Sequence, residues 1–184
     1  MRKLILHVQA SVDGYMDSPH EETDGTAVAW SEDIYERVIA LHEPVGCILL
    51  GRKTAEGFIP AWASRPEGEP DAIIDKMNDT PRVVLSNSLT ESPWENAVVA
   101  GGDLTEIVNK LKAEPGGDLI VYGGGTLVRD VIARRLFDDL HLFVNPVAYG
   151  SGMPVFPDLG KNQRLNLVAA RSFECGVTEL HYQP

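Results

Sequence analysis

Leu119-Ile120-Val121-Tyr122 runs directly into Gly123-Gly124-Gly125, and Leu127, Val128, Val131 and Ile132 then recur at helical spacing. This order constrains the fold more than any other stretch of the chain. It reads as a buried strand, a tight turn and a helix N-terminus. Glycine carries no Cβ, so a ligand can approach the backbone closely at such a turn. The helix start then presents unpaired N–H groups and the positive end of its dipole, a combination that suits a phosphate. A second stretch has the same order: the apolar run Val45 to Leu50 precedes Gly51-Arg52-Lys53-Thr54, which adds two cations. Together the two stretches read as opposite walls of a site for a phosphorylated cofactor. The competing readings are a plain tight turn at the glycines and a solvated helix start at Arg52 and Lys53. Cations at a helix start oppose the dipole, so an anionic partner would offset a local cost. Neither stretch is a GxGxxG fingerprint or a Walker A loop.

The remaining chain alternates strands and helices for about three-quarters of its length. Residues Arg2 to Ala10 alternate as a strand, and Arg82 to Ser86 and Asn96 to Ala100 read as two more. Ser31 precedes Ile34, Val38 and Leu41 at helical spacing, and Pro44 ends that helix. Asp71 to Met77 fits one or two helical turns. Asp103 caps a helix with Leu104, Ile107, Val108 and Leu111 on one face. After Arg135 the pattern becomes strand-rich, with Phe137 to Val144, residues 164–173, and a last strand with Thr178, Leu180 and Tyr182 on one face. Strand–helix alternation predicts a largely parallel sheet, and the C-terminal part reads as an antiparallel addition. The acidic, Gly- and Thr-containing loop from Asp17 to Ala29 is a candidate cover for a site.

One domain over residues 1–184 is the simplest reading of the length. With 27 acidic and 16 basic residues the formal charge is −11, which repels nucleic acid and anionic membranes at long range. A phosphorylated small molecule then needs local cations, and Arg52 and Lys53 supply them. No apolar run reaches the roughly 18 residues of a membrane-spanning helix, and no signal-peptide pattern opens the chain. A reducing cytoplasm is the expected compartment, and Cys47 and Cys175 show no metal or redox spacing. The five histidines show no HExxH pair, so no metal is expected. His7 and His141 read as packed residues within strands.

Five segments in order carry a family resemblance. They are Ser11-Val12-Asp13-Gly14, Gly51-Arg52-Lys53-Thr54, Val84-Leu85-Ser86-Asn87, Val121 to Leu127, and Pro146-Val147-Ala148-Tyr149-Gly150-Ser151-Gly152. The chain resembles the dihydrofolate-reductase-like superfamily over nearly its whole length. Within it, the chain is most similar to the C-terminal reductase domain of the bifunctional riboflavin-biosynthesis deaminase-reductase. The position after Thr54 is usually aromatic in that group and is Ala55 here. No zinc-deaminase pattern occurs, so the chain looks like a stand-alone relative.

The resemblance implies a three-layer α/β/α fold with a mixed, mostly parallel central sheet, an NADPH cofactor and a homodimer. It implies that Arg52, Ser86 and Asn87, beside Leu85, hold the adenosine 2′-phosphate. Gly51, Lys53 and Thr54 would sit at the pyrophosphate, and Tyr122, Gly123, Gly124, Gly125, Thr126 and Leu127 would wrap its other side. Ala10, Asp13 and Gly14 would lie near the nicotinamide and Gly152 near its reactive half. An Asx-turn is an equal reading of Asp13. Trp30 is a candidate wall for a flat heterocyclic substrate, and Asp33 a candidate proton source, although acidic residues favour a helix start in any case. The implied reaction is reduction of 5-amino-6-(5-phosphoribosylamino)uracil. A folate- or pterin-type substrate and a nucleotide-binding module with little turnover are the alternatives.

Overall fold

The computed structural model describes residues 1–18, 29–157 and 159–184, so most of the acidic loop lies outside the described residues. The strands are β1 (Leu4–Ser11), β2 (Val45–Gly51), β3 (Arg82–Leu85), β4 (Ala97–Ala100), β5 (Asp118–Tyr122), β6 (Asp139–Asn145), β7 (Asn166–Ser172) and β8 (Thr178–Gln183). The helices are α1 (Glu32–His42), α2 (Arg52–Ala63), α3 (Asp71–Asp79), α4 (Leu104–Ala113) and α5 (Gly125–Ala133). All eight strands join one sheet in the order β4-β3-β2-β5-β1-β6-β8-β7. Every pairing from β4 to β6 is parallel, and β8 alone runs against the others.

The pleat sends alternate residues of each strand to opposite faces. Leu4, Leu6 and Val8 of β1, with Leu49 and Val121, pack under Val108 of α4 and Val128, Val131 and Ile132 of α5. Ile5, Ile48, Leu50 and Ile120 pack on the other face under Ile34, Val38, Ile59, Ile73 and Met77 of α1, α2 and α3. This gives the expected three layers. Helices on both faces make the central strands apolar throughout, which is why β2 and β5 read as continuous apolar runs.

The helix starts follow their caps. Asp103 accepts from the backbone N–H groups of Thr105 and Glu106 at the start of α4. By contrast, α2 begins at Gly51 and α5 at Gly124, with no side-chain cap on either. Helix α2 runs for 12 residues through Pro60. Where β2 meets β5, a bulge falls at Gly46, and a Cβ there would strike the backbone of Gly117. Both cysteines are free thiols. Among the described residues no helix is long and apolar enough to cross a membrane.

Candidate cofactor and substrate site

Six parallel strands, β4, β3, β2, β5, β1 and β6, deliver their carboxyl ends to one edge of the sheet, the place where open α/β sheets bind ligands. A cavity of about 830 Å³ opens there. Gly51, Arg52, Lys53 and Thr54 line it from β2 and α2; Leu85, Ser86 and Asn87 from the end of β3; and Gly124, Gly125, Thr126 and Leu127 from the start of α5. Residues from three separate strand ends thus meet as the sequence reading expected. Ala100, Gly102, Leu104, Ile107 and Asp130 also line it and were not anticipated. The β3–β4 register brings Ala100 beside Leu85, a pairing that no local signal reveals.

The chemistry of the walls is uneven in a useful way. The N-termini of α2 and α5 line the same space, and among the described residues neither has a side-chain cap for its first N–H groups. Gly123 and Gly124 have φ of +54° and +72°, the left-handed region that favours glycine. A Cβ on Gly124 would collide with Thr54, and one on Gly125 with Met153. The glycines therefore allow the α5 turn to lie directly against α2 as well as against a ligand. Arg52 pairs with Glu56 at 2.8 Å, but both side chains are about half exposed. Such a pair contributes little and leaves the guanidinium available to an anion. Asn87 accepts from the Gly102 N–H at 2.8 Å, which ties the β3 and β4 ends together.

A second cavity of about 400 Å³ lies across the glycines and shares Gly124 and Gly125 with the first. Trp30 lines it, together with His7, Gln9, Met16, Asp17 and Tyr122. Tyr122 and Gly123 therefore face this second cavity instead of the first. Trp62 lines neither and packs on Phe58 within α2. His7 and Gln9 were not anticipated as lining residues. They belong to β1, and a strand's alternation does not say which of its residues meets a cavity.

Several expected contacts fall on the rim. Ala10 is buried in the core and lines neither cavity. Asp13 accepts from the Ser11 hydroxyl at 2.6 Å and from the N–H groups of Tyr149 at 3.1 Å and Gly150 at 2.7 Å. The Ser11 bond foremost, with those backbone bonds, holds its carboxyl below the usual range. Gly14 accepts from the Val155 N–H at 2.9 Å. A Cβ on Gly152 would strike the Asp17 carbonyl. The Ser11–Gly14 and Pro146–Gly152 segments are thus laced to each other, and the lacing sets Met16 and Met153 at the cavity walls.

Asp33 requires a correction. Its Oδ1 accepts from the Ser31 hydroxyl and the Ile34 N–H, and its Oδ2 accepts from the Glu174 N–H at 3.0 Å. It lines neither cavity. The hydrogen bond from Ser31 foremost holds its carboxyl below the usual range. Asp33 therefore fastens the start of α1 to the turn between β7 and β8 and carries no proton to donate near neutrality.

His7 and His42 lie 5.9 Å apart beside Tyr122 and are both buried. His42 Nδ1 donates to the Val38 carbonyl, and its Nε2 has no partner among the described residues. Burial lowers the pKa of His42 to about 4 and pushes His7 well below its ordinary value. The unfolded chain, with ordinary histidines, therefore takes up these protons first as pH falls. Their stabilising contribution is complete above about pH 6.5 and is lost as pH falls through the folded values. We expect His42→Leu to flatten the loss of urea stability between about pH 6.5 and 4. An unchanged slope would contradict this assignment.

The fold and site define an α/β protein of dihydrofolate-reductase-like architecture with a cleft at the strand ends, lined by two helix starts and two cations. The chain belongs to the RibD C-terminal domain family, whose model matches residues 2–178. This is a riboflavin-pathway reductase family. The chain is 27% identical over 186 residues to the uncharacterized protein YyaP of Bacillus subtilis (strain 168), covering 98% of this chain and 94% of that one. In structure it is similar to a putative riboflavin biosynthesis protein from Shewanella sp. PV-4, with a TM-score of 0.77 and 22% identity over 98% of both chains. It is also similar to a dihydrofolate reductase from Enterococcus faecalis complexed with NADP(H), with a TM-score of 0.61 and 17% identity, covering 98% of this chain and 95% of that one.

Proposed function

We propose that this protein is an NADPH-dependent reductase acting on a phosphoribosylaminopyrimidine of the 5-amino-6-(5-phosphoribosylamino)uracil type. The observation that carries the reading is the convergence of two uncapped helix starts and two cations on one cleft. That donor set fits a dinucleotide carrying an extra phosphate. When bound, NADPH would supply a hydride from its nicotinamide.

The chain's own residues would perform the rest. Arg52 would grip the 2′-phosphate with its planar fork, and Lys53 would add charge beside it. The N–H groups opening α2 and α5 would receive the diphosphate. Leu85, Ala100, Leu104 and Ile107 would form an apolar slot for the adenine. Gly123 to Gly125 separate the two cavities without side chains, so a nicotinamide could reach the space between Trp30 and Tyr122. Met16 and Met153 would help to exclude water from the reacting atoms. A flat pyrimidine would then stand against Trp30, with the Gln9 amide among its polar neighbours.

The test combines binding and turnover. NADPH should quench or shift protein fluorescence on titration. The absorbance of the reduced nicotinamide should fall only when the aminopyrimidine is added. Saturable NADPH binding with no oxidation by this substrate or by dihydrofolate would favour a non-catalytic nucleotide-binding module. Absence of binding would overturn the reading.

A further inference from the structure

We propose that Asp139, His141 and His181 form a binding site for one divalent cation of the zinc class, separate from the cofactor cleft. The inference does not depend on the reductase reading. The three residues meet only through strand pairing. The register sets His141 of β6 opposite His181 of β8, and Asp139 lies two residues before His141 on the same face. One coordinating atom from each residue lies within 4.8 Å of the other two. The two imidazoles stack with centroids 4.0 Å apart at 17°. The side chains of Asp139 and His141 are 6% and 5% exposed and that of His181 is 16%, so the cluster is nearly sheltered from solvent.

The surroundings resemble a prepared ligand set. His141 holds Nδ1 on the wholly buried Glu179 at 2.7 Å, which leaves Nε2 as its coordinating nitrogen. A carboxylate behind a ligating imidazole orients the ring and raises its basicity, the usual support of a metal-bound histidine. Arg37 and Arg171 lie nearby, but both are engaged by Glu179. Asp139 already attracts a cation: Lys3 Nζ lies 3.1 Å from Oδ2, while His181 and Gln183 donate to Oδ1. Lys3 is 54% exposed on a flexible stem, so it can withdraw into solvent and give way to a doubly charged ion.

Two imidazoles and one carboxylate suit Zn²⁺, Co²⁺ or Ni²⁺, with water in the fourth position. Tetrahedral bonds of about 2.1 Å set ligand atoms about 3.4 Å apart, so the widest pair must close by up to about 1.4 Å, while His181 Nε2 and Asp139 Oδ1, hydrogen-bonded at 2.7 Å, must part and release the shared proton to solvent. His181, the most exposed of the three, has the most freedom to move. Bound metal would fasten the last strand to β6.

The experiment uses untagged, EDTA-treated protein titrated with Co²⁺ and followed by visible d–d absorption, then competed with Zn²⁺. We expect one equivalent to bind and to raise the thermal midpoint. His181→Ala should weaken binding by about tenfold or more, the scale on which even supporting residues affect metal affinity. If that variant is poorly folded in EDTA, His181→Gln serves instead, since it can still donate to Asp139 but has no imidazole. Lys3→Met removes the competing cation and should tighten binding several-fold. The proposal is overturned if the wild type takes up neither ion at submillimolar concentration. Equal affinity in the wild type and the His181 variant, or no gain from Lys3→Met, would also overturn it. NADPH titration of the same samples keeps this result distinct from the cofactor reading.

Discussion

Glu179→Ala is expected to lower the unfolding free energy by about 3–5 kcal/mol, the usual cost of breaking a buried ion pair from one side. Glu179 is wholly buried on β8. Its two oxygens accept from Arg37 Nε at 2.8 Å and Nη2 at 2.7 Å, from His141 Nδ1 at 2.7 Å and from Arg171 at 3.1 Å. Arg37 belongs to α1, so this carboxylate joins the helical layer to the C-terminal hairpin. Its removal leaves the Arg37 guanidinium, only 20% exposed, without its counter-charge. Urea unfolding should show the loss directly, and a change below about 1 kcal/mol would mean that water replaces the carboxylate with ease.

The same group predicts an acid limb. Burial alone would raise the Glu179 pKa, but the hydrogen bonds and charges of His141 and Arg37 outweigh it and hold the group far below the carboxylate range. The unfolded chain therefore protonates this residue first. Its stabilisation is present above about pH 4.5 and is lost as pH falls from there toward the folded value. That window lies below the one assigned to His42, so the two can be separated by unfolding titrations of the single variants.

Arg52→Ala should weaken NADPH binding by about ten- to a hundredfold and leave NADH nearly unaffected. The estimate follows from the strength of charge-assisted bonds to phosphate. The exposed pair with Glu56 sets little against this gain. Glu56→Gln is the matching control and should leave NADPH binding unchanged or tighter. Equal losses for both cofactors in Arg52→Ala would remove the 2′-phosphate role from this residue. The comparison needs fixed ionic strength, because the net charge of −11 opposes every phosphate at long range.

The glycine-bearing half of the cleft was legible because its signals are local. An apolar strand, a glycine turn and a helix start are contiguous at 119–128, and so are the strand and cations at 45–54. Ala100, Leu104 and Ile107 were missed for the opposite reason: they reach the cavity through the parallel β3–β4 pairing and the α4 packing. Asp33 was misread because an acidic residue at a helix start has the same sequence signature whether it caps, bridges or donates a proton. Only the positions of Ser31 and Glu174 showed that both of its oxygens are already engaged. A metal was not expected from histidine spacing, yet the β6–β8 register brings Asp139, His141 and His181 together.

Short-range order, then, was written in the chain itself: the apolar periods specified the strands and helices, and the glycine turns marked where the backbone could receive a ligand. Those preferences act between residues a few positions apart, and a single sequence displays them openly. The partners of Asp13, Asp33 and Glu179, and the row of imidazoles across β1, β6 and β8, were decided only by the assembled sheet. Strand order and register are chosen by burial of the whole core, and no local pattern carries that information.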